Sequence, residues 1–100
     1  MSQDITIEEG RKMLEEGGVT LVDVRTPQEF QSGQIPGAIN IRNEGIKSAP
    51  KELPDKQATI LLYCRTGMRA EDAMDKLESL GYTNLYNMGG ILDWTGPIER

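Results

Sequence analysis

TILLYCRTGMR, residues 59–69, carries the strongest structural signal in this chain. Its first part, Thr59–Tyr63, is an apolar run without helical spacing, which predicts a strand buried inside a sheet. A polar loop begins at Cys64. Beyond it, apolar residues recur at spacings of three and four, as in an amphipathic helix, at Ala70, Ala73, Met74, Leu77 and Leu80. The segment therefore predicts a strand, a short loop and a helix, with Gly81 capping the helix C-terminus.

The same alternation of helix and strand extends toward the N-terminus. Two capping boxes, Thr6 with Glu9 and Thr26 with Glu29, predict helix starts, because their side chains and backbone amides can bond reciprocally. Pro27 occupies the first position of the second helix, where its missing N–H costs nothing. The expected helices cover about 7–16 and 27–32, and the expected strands cover 19–24 and 38–41.

The middle and the C-terminal part give shorter elements. Residues 42–57 are polar and contain Pro50 and Pro54, which predicts a loop with one helical turn around 46–49. The remaining expectations are a strand at Asn84–Asn87, a tight turn at Gly89-Gly90 and a helical turn at 91–94. Strands that alternate with helices imply a mostly parallel sheet with helices on both faces. We expect residues 1–100 to form a single domain.

The composition restricts the classes of function. Hydrophobic residues make up 37% and charged residues 27%, a balance typical of a soluble globular protein. The formal net charge of −5 argues against nucleic acid as the main partner, because phosphate binding needs a basic face. No apolar run reaches eighteen residues, and the first ten residues lack the basic and apolar regions of a signal peptide. We therefore expect a cytoplasmic protein that binds no membrane.

The chain contains one cysteine and no histidine. An intramolecular disulfide is therefore impossible, and a Cys/His zinc site cannot be assembled. Histidine cannot serve as a general base. Any chemistry in this protein must proceed without imidazole.

One loop combines a reactive group with the right place in the fold. In open α/β sheets, ligands bind beyond the carboxyl ends of the strands, where loops meet helix N-termini. Backbone N–H groups of a loop such as Cys64–Arg69 can form an anion nest, which should favour the thiolate of Cys64. Arg65 and Arg69 add positive charge that can hold an anionic substrate, and Gly67 supplies freedom in φ. The alternative, Cys64 as a small buried hydrophobe, would place both arginines in an apolar core, so we favour the reactive cysteine.

The length of this loop separates two reaction classes. Cysteine-based phosphatases resemble this strand, loop and helix, but five residues separate their cysteine from their arginine. Here four residues lie between Cys64 and Arg69, and Ala70 occupies the phosphatase arginine position. A loop shorter by one residue encloses a smaller space, which favours a single sulfur atom over a tetrahedral oxyanion.

Further motifs accompany this loop in the sequence. They are Leu21-Val22-Asp23-Val24-Arg25, Glu29-Phe30, Gly33 with 35–41, and Gly89-Gly90 followed by Trp94. Together with the CRTGMR loop they resemble a single-domain rhodanese, a thiosulfate sulfurtransferase-type domain. The resemblance implies a three-layer α/β fold in which helices flank a central five-stranded parallel sheet. The sequence departs from the pattern at Gln34, where many members have histidine, and in the tail after Trp94, which is shorter than usual.

The resemblance also implies an activity. Cys64 would take sulfane sulfur from thiosulfate or a related small anionic donor, hold it as a persulfide, and pass it to a thiol, cyanide or a protein cysteine. No cofactor or metal is implied. The substrate would be held by the loop residues Arg65, Thr66, Gly67, Met68 and Arg69.

Other interpretations remain open from the sequence. The chain could be a non-catalytic interaction or regulatory module, although such a module has no need of a thiolate in an anion nest. Arsenate reduction and phosphatase activity are less favoured because of the loop length. Asp23 and Arg25 are expected to form an ion pair that supports the loop beneath Cys64, because an unneutralised carboxylate would oppose a thiolate. Phe30 and Trp94 are expected in the core.

Overall fold

The computed structural model describes residues 2–100, which form a five-stranded sheet with helices on both faces. All paired strands are parallel, in the order β1-β5-β4-β2-β3. The strands are β1 Ser2–Asp4, β2 Val19–Asp23, β3 Ile39–Asn40, β4 Thr59–Cys64 and β5 Asn84–Gly90. The α-helices are α1 Ile7–Glu16, α2 Pro27–Ser32, α3 Ala49–Glu52 and α4 Met68–Ser79, and 3₁₀ helices cover Asn43–Ser48 and Ile91–Asp93. The predicted three-layer α/β fold is confirmed.

The central strand β4 is buried on both faces. Ile60, Leu62 and Cys64 belong to one core cluster, together with residues of α3, α4 and the 3₁₀ helix 43–48. Leu61 and Tyr63 belong to the other cluster, against which α1 and the segment after β5 pack. Because side chains alternate along a strand, the continuous apolar run places apolar side chains in the core clusters on both faces of the sheet.

The predicted helix ends follow local chemistry. Both capping boxes form: Thr6 accepts from the backbone of Glu9, and Thr26 accepts from the backbone of Glu29. Gly81 follows α4 with φ of 99°, a left-handed conformation that suits glycine, and its N–H donates to the Glu78 carbonyl. These contacts lie within a few residues along the chain, so the sequence pattern finds them.

Three elements differ from the prediction. β1 has no predicted counterpart, because three residues without an apolar pattern form a strand only by pairing with β5. Gly89-Gly90 is the end of β5, where Gly90 pairs with Cys64, and the predicted tight turn is wrong. The segment expected to be a loop with one turn contains the 3₁₀ helix 43–48 followed by α3.

The two large aromatic residues have different surroundings. Trp94 is half-buried and packs against the core cluster that contains Tyr63. Phe30 is also half-buried but lies outside both core clusters, so its expected place in the core is wrong. The helix α2 is only six residues long and buries none of them fully, which explains the partial exposure of Phe30.

Candidate active site

Cys64 ends β4 at the carboxyl edge of the sheet, and its side chain is buried. The segment 64–69, named here the cradle loop, turns directly into α4. The Gly67 N–H donates to the Cys64 Sγ at 3.0 Å. The sulfur therefore sits inside the bend of the loop, beside the positive end of the α4 dipole.

Gly67 makes the tight bend possible. It is the N-cap of α4 and has φ of 111° and ψ of −16°, a left-handed conformation. Residues with a Cβ rarely adopt this conformation. The first amides of an α-helix have no acceptor within the helix, so the start of α4 offers N–H groups beside the sulfur.

The two arginines of the cradle loop have different environments. Arg69 donates through Nη1 and Nη2 to the two carboxylate oxygens of Glu29, at 2.7 and 3.0 Å. This bond lowers the pKa of the Glu29 carboxyl to about 2 and raises the pKa of Arg69. Arg65 is exposed, and among residues 2–100 no side-chain partner is found for it. Arg69 is thus paired with Glu29, although its charge also interacts with Cys64, whereas the charge of Arg65 has no side-chain partner within residues 2–100.

Two other side chains of the loop point outward. Thr66 and Met68 are exposed, and the Met68 side chain is 78% accessible. Ala70, which takes the phosphatase arginine position, is fully buried in the core. The structure thus places no cation where a phosphatase loop would need one.

The end of β5 forms the floor beneath the cradle loop. A Cβ added to Gly90 would lie 2.0 Å from the Arg65 carbonyl oxygen, and one added to Gly67 would lie 3.3 Å from the Gly89 Cα. The loop backbone therefore contacts the strand backbone directly. The sequence pattern of two adjacent glycines indicated a turn, whereas the structure uses them for this close approach.

Asn87 joins the same two segments through its side chain. Its Nδ2 donates to the Gly67 carbonyl at 3.1 Å, and its Oδ1 accepts from the Gly89 N–H at 2.9 Å. Asn87 is buried. From the sequence, Asn87 is predicted only as the end of a strand, and no local pattern relates it to a loop 20 residues away.

Asp23 and Arg25 form the expected ion pair, with a shortest distance of 2.7 Å, and both are buried. The second bond of the Arg25 Nη2 goes to the Gly33 carbonyl at 2.7 Å. The Tyr63 hydroxyl accepts from the Ile35 N–H at 3.1 Å, and the Arg25 guanidinium lies over the Tyr63 ring. The pair therefore holds the turn that contains Gly33, rather than bonding to the cradle loop as we expected.

The C-terminal tail docks beside that turn. Gln34 and Glu99 exchange two backbone hydrogen bonds of 2.8 Å in an antiparallel bridge. The Trp94 indole N–H donates to the Pro97 carbonyl at 2.9 Å. Gln34, at the position where histidine was expected by resemblance, thus contacts the tail through its backbone.

The structure is thus an α/β domain with a buried cysteine at the end of its central parallel strand, beside the N-terminus of the next helix. The sequence matches the family described as rhodanese-like domain over residues 6–96, and the chain belongs to this family.

Two of the relatives are named for the same activity. The chain is 36% identical over 77 residues to the thiosulfate sulfurtransferase PspE of Escherichia coli, covering 76% of this chain and 74% of that protein. It is 31% identical over 97 residues to the thiosulfate sulfurtransferase GlpE of Pseudoalteromonas translucida, covering 96% and 91%. The rhodanese-like domain of an Anabaena protein superposes with a TM-score of 0.89 at 25% identity, covering 99% of this chain and 80% of that one. The rhodanese-like family of this chain thus includes proteins named as thiosulfate sulfurtransferases.

No helix within residues 2–100 is both long and apolar enough to cross a membrane.

Proposed function

We propose that this protein is a sulfurtransferase of the thiosulfate type, with Cys64 as the sulfur carrier. The observation that carries the proposal is the Gly67 N–H that donates to the Cys64 Sγ at 3.0 Å inside the cradle loop. A backbone donor at this distance stabilises negative charge on sulfur without histidine. The names of the relatives support the same reaction.

The reaction has two displacement steps. The Cys64 thiolate attacks the outer sulfur of thiosulfate, the S–S bond of the donor breaks, and sulfite leaves with the electron pair. The outer sulfur remains on Cys64 as a persulfide, whose terminal charge is held by amides of the loop. An acceptor thiolate or cyanide then attacks the terminal sulfur, and the Cys64 thiolate is the leaving group.

The positive charge of the cradle loop favours an anionic sulfur donor. Arg65 is exposed and unpaired within residues 2–100, so it can attract thiosulfate to the mouth of the site. Thr66, Gly67 and Met68 would contribute mainly through their backbone, because the side chains of Thr66 and Met68 point outward.

The acceptor must come from another molecule. Cys64 is the single cysteine of the chain, so no second thiol within it can resolve the persulfide. Met68 of the cradle loop is 78% exposed, and Leu92, which follows β5, is 62% exposed. The Leu92 N–H donates to the Arg65 carbonyl. Exposed apolar side chains such as Met68 and Leu92 favour a protein cysteine as the acceptor over a fully solvated small anion.

The test is the mass of the protein after incubation with thiosulfate and removal of excess donor. We expect a gain of one sulfur atom in the wild type, lost again on addition of cyanide or a thiol. Cys64→Ser should gain nothing. A wild-type protein that stays at its original mass in the absence of reductant would exclude the carrier role and favour a non-catalytic interaction module.

A further inference from the structure

We propose that Asn87 is a positioning residue for the chemistry of Cys64. The side-chain amide of Asn87 holds Gly67 in the orientation that directs the Gly67 N–H toward the sulfur. The inference rests on the proposed function, since it concerns the same reacting sulfur. Asn87 makes no hydrogen bond to the sulfur and bonds to Gly67 instead, so it acts through Gly67.

The peptide groups on both sides of Gly67 are hydrogen-bonded. The Gly67 N–H donates to Sγ at 3.0 Å, whereas its carbonyl accepts from the Glu71 N–H at 3.0 Å and from the Asn87 Nδ2 at 3.1 Å. A carbonyl oxygen has two lone pairs, so both are occupied. The helix supplies one of these bonds and β5 supplies the other. The orientation of Gly67 is thus determined from two directions.

The Asn87 side chain is held at both ends of its amide. Its side chain is buried, and its Oδ1 accepts from the Gly89 N–H at 2.9 Å. The amide cannot rotate without losing both of its bonds. Gly89 and Gly90 lie against the loop backbone at the same place. Asn87 therefore fixes the position of the cradle loop relative to strand β5.

Loss of the Asn87 amide would remove one of the two bonds that hold the Gly67 carbonyl. Glycine permits many combinations of φ and ψ, so Gly67 needs outside support to hold one of them. An N–H donor assists a charged transition state only when it is already aimed at the charge. Removing such a donor outright costs about 10²–10³-fold in kcat, so disturbing its aim should cost about 10-fold.

Asn87→Ala tests the proposal, and Asn84→Ala is the matched control. Asn84 lies at the other end of β5, and its Nδ2 donates to the Gln57 carbonyl at 2.8 Å. We expect Asn87→Ala to lower kcat for persulfide formation from thiosulfate by about 10-fold with KM changed less than about two-fold. Alkylation of Cys64 by iodoacetamide at fixed pH should slow in parallel, and the Gly67 amide NMR signal should shift or broaden. Asn84→Ala should leave all of these readouts at wild-type values.

Asn87→Asp separates positioning from packing. It keeps the size of the side chain and an oxygen for the Gly89 N–H, but it turns an oxygen toward the Gly67 carbonyl. We expect slowing at least as large as in Asn87→Ala. Wild-type kcat and an unchanged Gly67 signal in either Asn87 variant would overturn the proposal, as would equal slowing in Asn84→Ala.

One measurement uses only the wild-type protein and so does not depend on whether a variant folds. Alkylation of Cys64 should shift the side-chain NH₂ signals of Asn87 together with the Gly67 amide signal, and an Asn87 signal that stays in place would contradict the coupling. If the wild type forms no persulfide, the proposed function fails. The alkylation and NMR results then still decide whether Asn87 positions Gly67.

Discussion

Glu29 and Arg69 are 40 residues apart in sequence and form a bidentate ion pair that joins α2 to the cradle loop. Glu29 completes the capping box of α2, and Arg69 lies in the first turn of α4. A cation at a helix N-terminus opposes the helix dipole and needs compensation. Glu29 supplies it, so Arg69 connects two elements while Arg65 remains free for an anionic donor.

The ion pair predicts a stability that depends on pH. The pKa of Glu29 is lowered from 4.5 to about 2 by its bond with Arg69. The stabilisation is therefore complete above about pH 4.5 and is lost as the pH falls toward 2. Both side chains are about one-third exposed, so solvent screening reduces the pair to about 1–2 kcal/mol. Urea unfolding should show Glu29→Gln destabilised by this amount at pH 7, with the difference vanishing near pH 2.

Glu15→Gln is the control for this experiment. Glu15 pairs with Arg11 at 3.7 Å on the exposed face of α1. Its removal should change the free energy of unfolding by less than about 0.5 kcal/mol at every pH. A Glu29→Gln difference that persists unchanged at low pH would show that its stabilisation is not carried by the ionised carboxylate.

Arg65 should determine the affinity for charged donors. Arg65→Gln removes an exposed charge worth about 1 kcal/mol to an anion nearby, so KM for thiosulfate should rise about five-fold. A neutral organic trisulfide should be affected by less than about two-fold, because the interaction is electrostatic. Initial rates measured at several salt concentrations should show a weaker salt dependence in the variant.

Arg11→Gln makes the same change in net charge at a site on α1. It should leave KM for thiosulfate within about two-fold of the wild type, because salt screens distant surface charges. An equal rise in KM for both variants would mean that overall charge, not Arg65, attracts the donor.

Gly90→Ala should damage both stability and activity. The new Cβ would lie 2.0 Å from the Arg65 carbonyl oxygen, a backbone atom, so β5 or the cradle loop must move. We expect a loss of about 2–3 kcal/mol in the free energy of unfolding. We also expect sulfur transfer to fall in the fraction that remains folded. Thermal unfolding and persulfide formation on the same sample measure the two effects.

The comparison for this substitution is Gly45→Ala. Gly45 has ordinary backbone angles, and its nearest neighbour to an added Cβ is the Arg42 Cγ at 3.8 Å. It should change stability by less than about 1 kcal/mol. Should Gly90→Ala prove as harmless as Gly45→Ala, the close contact between β5 and the loop would not constrain the site.

Several structural features could be predicted from local sequence patterns. The apolar run of β4, the apolar stripe of α4 and the two capping boxes each depend on residues a few positions apart. The expected position of Cys64 at the end of β4 followed from the abrupt change from apolar to polar residues. β1 escaped prediction because its three residues have no apolar pattern and are held by pairing with β5.

Only part of the candidate site could be predicted from the sequence. Its nucleophile and its glycine lie together in sequence, so the loop itself was visible. Glu29, Gly90 and Asn87 come from other elements, and their contacts depend on how β5 and α2 lie beside the loop. The family motif included Glu29 and the glycine pair, but it did not show what they touch.

The sequence alone therefore determined the layered α/β class, the strand, loop and helix around Cys64, and the absence of histidine from the chemistry. Hydrophobic periodicity and helix capping act over a few residues, which is why these features can be read along the chain. Only the tertiary structure decided that Arg69 is paired, that Arg65 is free within residues 2–100, and that β5 supports Gly67. These relationships depend on parallel strand register and on crossover helices, which bring together groups that no local pattern connects.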